Sequence, residues 1–109
     1  MIHACRGVMP KVGLSTGIAA SADVIGDIEL GEESSLWFTA VVRGDVNDVR
    51  VGRGTNLQDG TVVHVNRNGT PTLLGDYVTV GRAARLHGCH IKSTCLIGIG
   101  AESRAAHGA

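Results

Sequence analysis

Aliphatic residues return every sixth position along almost the whole chain. Val12, Ile18, Val24, Leu30, Leu36 and Val42 open the series; Val51, Leu57 and Val63 resume it; Leu74, Val80, Leu86, Ile91 and Ile97 carry it on. Glycine follows the anchor at 13, 31, 52, 75, 81 and 98, and most units place a small residue four positions after it (Thr16, Ala22, Ser34, Ala40, Thr55, Thr61, Ala84, Cys95, Ala101). A period of six fits neither an α-helix nor an amphipathic strand alone. It fits short strands separated by tight corners, each unit one flat side of a prism, three units to one turn of a parallel β-helix. The anchor and the small residue face a narrow interior, and glycine relieves the backbone near a corner.

The phase breaks are countable. Val42 to Val51 spans nine residues, so three extra sit around 44–48. Val63 to Leu74 spans eleven, so five extra form a loop within 66–71, whose NRNGTP composition is loop-like. Leu86 to Ile91 is one short. The spacing therefore predicts one all-β domain over 1–109: a cap at 1–11, coils over 12–101 with a loop at 65–73, and a tail at 102–109. Three columns of anchors result. One carries Val12, Leu30, Val51, Leu74 and Ile91; the next Ile18, Leu36, Leu57, Val80 and Ile97; the third Val24, Val42, Val63 and Leu86.

On the third side the residues after the anchors point outward: Ile25, Arg43, His64 and His87. Coils are spaced like neighbouring strands, about 4.8 Å apart. His64 and His87 should then be neighbours on one outer ladder. Two imidazoles there either stack on a solvated face or converge on one metal ion, with Zn–N bonds of about 2.0–2.1 Å. They cannot close a tetrahedral site alone. Gln58, Asp59, Arg43 and Asp45 are polar groups expected near this column, at corners where a symmetric partner could meet it. The Arg-Gly-Asp run at 43–45 reads as an Arg–Asp pairing element rather than a cell-adhesion tripeptide.

Composition agrees with thin layers: aromatic residues are 3% and glycines number 16 among 109 residues. Ten basic against ten acidic residues give no steering towards nucleic acid or an anionic membrane. Three cysteines at 5, 89 and 95 imply no disulfide framework. Residues 1–10 lack the apolar core of a signal peptide, and no run approaches a membrane span. The expectation is a reduced, cytoplasmic protein.

The residues resemble the γ-class carbonic anhydrases and their relatives among left-handed β-helix hexapeptide proteins. The likeness covers nearly the whole chain up to about residue 101. It is carried by GVMPKVG (7–13), VIGDIELGEESSLWFTAVVRGDV (24–46), VRVG (49–52), TNLQDGTVVHV (55–65) and VTVGRAARLHGCHI followed by CLIGIGA. The resemblance implies a left-handed coil, against the usual right-handed crossover. It implies about four to five coils and homotrimers with zinc or another divalent metal at each interface. In the family two histidines come from one subunit, matched here by His64 and His87, and a third from its neighbour. That third position is Arg82 in this chain. Arg43 and Asp45 match the interface pair, and Gln58 and Asp59 the polar residues lining the site. The implied chemistry is reversible hydration of CO2 to bicarbonate, the metal making hydroxide available near neutral pH.

Two departures stand out. A guanidinium has no free lone pair and stays protonated, so Arg82 cannot ligate zinc. Metal binding is then weak, lost, or recovered with other ligands such as His90 or Cys89. The repeat also gives out after residue 101, where family chains continue and finish with a helix, so the coil is expected to be a shortened copy or a fragment lacking it. Cys89 and Cys95 read as packing residues, and His3 and His107 are assigned no role. The functional expectations are a γ-class carbonic anhydrase, a lyase, with activity compromised at Arg82; a non-catalytic trimeric scaffold of the same family; and, third, a hexapeptide-repeat acyltransferase.

Overall fold

A computed structural model describes residues 1–65 and 69–104. Among them the strands are β1 (Ile2–His3), β2 (Lys11–Val12), β3 (Gly17–Ile18), β4 (Asp23–Leu30), β5 (Ser35–Leu36), β6 (Val41–Val51), β7 (Asn56–Leu57), β8 (Val62–His64), β9 (Thr72–Leu74), β10 (Thr79–Val80), β11 (Arg85–His87), β12 (His90–Ile91), β13 (Leu96–Ile97) and β14 (Glu102–Arg104). All of their pairings are parallel, coil on coil. This is a left-handed β-helix of hexapeptide repeats, about four turns long.

The three anchor columns are present in the register. On the first side Val12 pairs with Leu30, Leu30 with Val51, Val51 with Leu74 and Leu74 with Ile91. On the second, Ile18, Leu36, Leu57, Val80 and Ile97 form an unbroken ladder. On the third, Val24, Val42, Val63 and Leu86 do the same. Anchors of the middle coils are fully enclosed: Val24, Val42, Leu57, Val63 and Val80 are 0% exposed. Ala22, Ala40, Thr55, Thr61 and Ala84 fill the remaining inward positions at 0%.

The third column runs further than the anchors suggest. Ile2 of the cap segment pairs with Val24, and Ser103 of the tail with Leu86. Ile2 falls outside the six-residue phase and Ser103 is not aliphatic, so neither marks its end as a repeat. Backbone pairing extends the ladder there, because strand pairing does not depend on the inward side chain, and at the N-terminal end His3 and the chain's amino group also meet Asp23. The first insertion is a bulge inside β6: Gly26 faces Gly44 and Ile28 faces Val49, so Asp45–Asp48 lies opposite Asp27 alone. The loop expected at 65–73 gives way to strand at Thr72, and its residues 66–68 lie outside the described residues, as does His107.

Corners explain the glycines in two ways. Gly31, Gly52 and Gly75 stack with no room for a side chain; a Cβ on Gly52 would stand 2.5 Å from the Gly75 backbone. Three positions after each first- and second-side anchor from Leu30 onward the chain turns through positive φ. Glycine sits there at 54, 60 and 100, but Glu33, Thr39, Tyr77, Ala83 and Thr94 adopt it too. A left-handed conformation costs a non-glycine residue roughly 1 kcal/mol. Opposite effects of two small changes follow. Exposed Ala83→Gly should stabilise by up to about 1 kcal/mol, relief of the strain at φ 58° being partly offset by a freer unfolded chain. Gly52→Ala should destabilise by about 1–3 kcal/mol, as overpacking does. Denaturant unfolding of both variants checks the signs.

Candidate metal half-site on the third side

The outer ladder beside the third-side anchors reads His3, Ile25, Arg43, His64, His87 and, by register, Arg104. His64 and His87 are direct partners across β8 and β11. Their rings stack with centroids 4.9 Å apart and planes 16° from parallel. The strand repeat brings them together, since parallel register sets the same strand position of successive coils one above the other.

Hydrogen bonding divides the two rings. Arg43 donates to His64 Nε2 at 2.6 Å, so that nitrogen carries the lone pair and Nδ1 the proton. His87 Nε2 is buried with no hydrogen-bond partner, and so is Asp45 Oδ1. Asp45 Oδ1 stands 3.6 Å from His64 Nε2, and its other oxygen, Oδ2, stands 3.9 Å from Arg43 Nε. Burial pushes the His64 pKa below its ordinary 6.5; the Arg43 charge adds to this, Asp45 opposes it, and His87 depresses it further. A neutral imidazole is the form that ligates a metal.

The other expected site residues lie round a corner. Gln58 follows Leu57 on the second side, and Asp59 stands one coil above Arg82, the Ala83 amide donating to the Asp59 carbonyl at 2.9 Å. Ser35, Trp37, Asn56, Gln58, Asp59 and Arg82 line an open groove of about 430 Å³. His64 and His87 line a separate recess of about 200 Å³ with Val62, Arg85, Leu86 and Glu102. One chain therefore carries a histidine pair and, on a different side, a polar groove. Of the substitutes considered, His90 is exposed, and Cys89 packs in the core at 2% exposure.

As a metal site the pair is half fitted. His87 Nε2 is buried without a hydrogen-bond partner, while the lone pair of His64 Nε2 is taken by Arg43. The near-parallel rings must also tilt, since two nitrogens sharing one ion lie within about 4.2 Å of each other. Among the described residues no group of three His, Cys, Asp or Glu is arranged to hold an ion.

Thr72 is a part of the site that the repeat conceals. Fully buried, its hydroxyl donates to the His64 carbonyl at 2.7 Å and accepts from the Gly88 amide at 2.8 Å. It thus fastens the ends of both histidine-bearing strands. The available signal was a hydroxyl two places before anchor Leu74, in the inward column of Ile28 and Val49.

The fold and this histidine ladder define a hexapeptide-repeat protein. No known protein-family model matches the chain. It is 47% identical over 97 residues to γ carbonic anhydrase 2, mitochondrial, of Arabidopsis thaliana, covering 84% of this chain and 35% of that one. It is 38% identical over 100 residues to a carbonic anhydrase of Geobacillus kaustophilus (92% and 54%) and 41% over 101 residues to protein YrdA of Escherichia coli (87% and 55%). The chain thus spans about a third to a half of the length of these relatives. Among solved structures, a suggested acetyltransferase of Bacillus cereus superposes with TM-score 0.93 at 40% identity, over 96% of this chain and 60% of that one. A hexapeptide transferase family protein of Anaplasma phagocytophilum gives 0.78 at 30%, over 95% and 75%. The chain belongs to the γ-class carbonic anhydrase-like family of left-handed β-helix proteins.

Two outcomes test the local physics. Thr72→Val removes both hydroxyl bonds and leaves the Gly88 amide and the His64 carbonyl only their mutual 3.3 Å bond, which should cost about 1 kcal/mol and shift the ring resonances of both histidines in NMR spectra. Because the folded His64 pKa lies below 6.5, the unfolded chain binds more protons just under that pH. Stability contributed by neutral His64 is then complete above pH 6.5 and lost as pH falls towards the folded value. Unfolding free energies at pH 7.5 and 5.5 should differ less in His64→Gln than in the parent.

Proposed function

We propose that the His64–His87 ladder is the metal half-site of a γ-carbonic anhydrase-like protein acting in reversible CO2 hydration at the interfaces of a homotrimer. The observation that carries this is the pair of register-matched, near-parallel imidazoles with an unpartnered buried Nε2 on His87. Zinc or another divalent ion is the group this donor pair suits, and bound there it would supply hydroxide near neutral pH. Gln58 and Asp59 are the groups that would orient water and bicarbonate. They reach the histidines only if a neighbouring subunit presents its polar groove to the third side. Arg43 and Asp45, beside the histidine pair, would then lie at that contact.

A second reading is favoured by Arg82. In the groove it stands where the family resemblance puts a third histidine, and its guanidinium has no lone pair to give. With two protein ligands the ion is weakly held, and the chain then serves as a non-catalytic trimeric scaffold. Acyl transfer ranks third; its support is the fold shared with the transferase-named neighbours. The relatives' names include mitochondrial proteins, no helix of the described residues is long and apolar enough to cross a membrane, and a cytoplasmic site of action is the reading we adopt.

Metal content of protein purified without chelators, measured with a CO2 hydration assay, separates these readings. Near-stoichiometric metal with hydration supports the enzyme. Negligible metal without activity, in a chain that light scattering shows to be a trimer, leaves the scaffold. Arg82→His should raise zinc affinity by at least about tenfold; no gain would mean that Arg82 does not face the histidine pair of a neighbour.

A further inference from the structure

Two charged groups on different sides of the prism are left short of partners. On the third side the β6 bulge swings the Asp45 carboxylate towards the His64 ring, where its buried Oδ1 finds no hydrogen bond. Its Oδ2 stands 3.9 Å from Arg43 Nε, too far for a hydrogen bond, while Arg43 gives its Nη2 to His64 at 2.6 Å. The side chain is still 32% exposed, so a donor from outside can meet it. In the groove, Arg82 is exposed, and its guanidinium makes no hydrogen bond or ion pair among the described residues. Asp59 lines the same groove one coil away, yet the two do not pair.

The corner that carries Arg82 has the make-up of a protein contact. Phe38, Asp59, Arg82 and Ile99 succeed one another along it, the Gly60, Ala83 and Gly100 amides donating to the carbonyls of the first three. Trp37, Phe38 and Ile99 are 47%, 57% and 68% exposed, and aromatic residues with arginine are what interface centres favour. A closed ring of copies has no translation along its axis. With that axis along the prism, each coil meets a neighbour's coil at its own level. Arg82 shares a coil with His87, and Asp45 leans on His64 one coil earlier, a step of about 4.8 Å that an arginine side chain spans. The other acids of that side are engaged: Asp23 with His3 and the amino terminus, Asp48 with Arg50, and Glu102 in register beside Arg85. We propose that Arg82 of one chain pairs with Asp45 of the next around the trimer, so that a guanidinium is the cation shared across the contact and no metal is needed to join the chains. A planar, permanently charged guanidinium suits a carboxylate short of donors. The inference rests on the trimeric reading above and deepens its scaffold form.

Sedimentation equilibrium of the metal-stripped chain in the presence of a chelator, with folding followed by circular dichroism, tests it. The parent should form trimers without metal. Arg82→Asp and, separately, the milder Asp45→Asn should each raise the dissociation constant per contact at least about tenfold, the worth of a charge-assisted hydrogen bond. Combining Arg82→Asp with Asp45→Arg reverses the pair and should restore the trimer. Trimers of Arg82→Asp as tight as the parent's overturn the pair while leaving the trimer intact. Rescue of Arg82→Asp by Asp59→Arg instead of Asp45→Arg would place the partner in the groove and overturn it too. A parent that assembles only when zinc is added overturns the guanidinium as the shared cation. A parent that stays monomeric with and without zinc overturns the trimeric reading itself, and the proposal with it.

Discussion

Parallel pairing of one coil on the next governs everything else in this molecule. Each coil can place only one outward residue per strand position, and the residue above and below it is fixed by register rather than by side-chain attraction. The interior is so narrow that Val, Ile and Leu anchors with alanine or threonine beside them fill it, and Gly31, Gly52 and Gly75 meet backbone to backbone at a corner. Larger residues are pushed outward: Trp37, Phe38 and Tyr77 are all exposed. A chain with such walls has little freedom to rearrange its surface except by changing which residue stands in a column.

The site inherits that rigidity. His64 and His87 face the same way because Val63 and Leu86 do, and the near-parallel stacking of their rings at 4.9 Å is what a coil repeat produces without help. Gln58, Asp59 and Arg82 belong to another corner for the same reason, one coil apart from each other but facing a different side. No movement inside a stacked prism could bring the two sets together without breaking its ladders.

What the sequence disclosed follows from how directly each feature depends on period. Columns, the bulge at 44–48 and the histidine pair were legible because a phase count alone places them. Thr72 escaped since its role comes from a hydroxyl turned inward, and an inward threonine looks like any small filler until its bonds to His64 and Gly88 are seen. The strands at Ile2–His3 and Glu102–Arg104 escaped because backbone pairing continues past the last residue that keeps the six-residue phase. The Arg43 contact with His64 was hidden too: the residues were placed as neighbours, but which partner a long flexible cation chooses is not a property of spacing.

One place in the ladder is exempt from the one-residue rule. Within the β6 bulge, Asp45–Asp48 answers to a single opposing residue, so side chains there can lean across the columns that bind all others. Asp45 does so, standing near both Arg43 and His64. The regular ladder has no spare position there, since its neighbouring places already hold His64, His87 and Arg43. Only an irregular segment beside that ladder can offer a group from a new direction. The bulge therefore lets Asp45 approach the His64 ring without altering the coil beneath it.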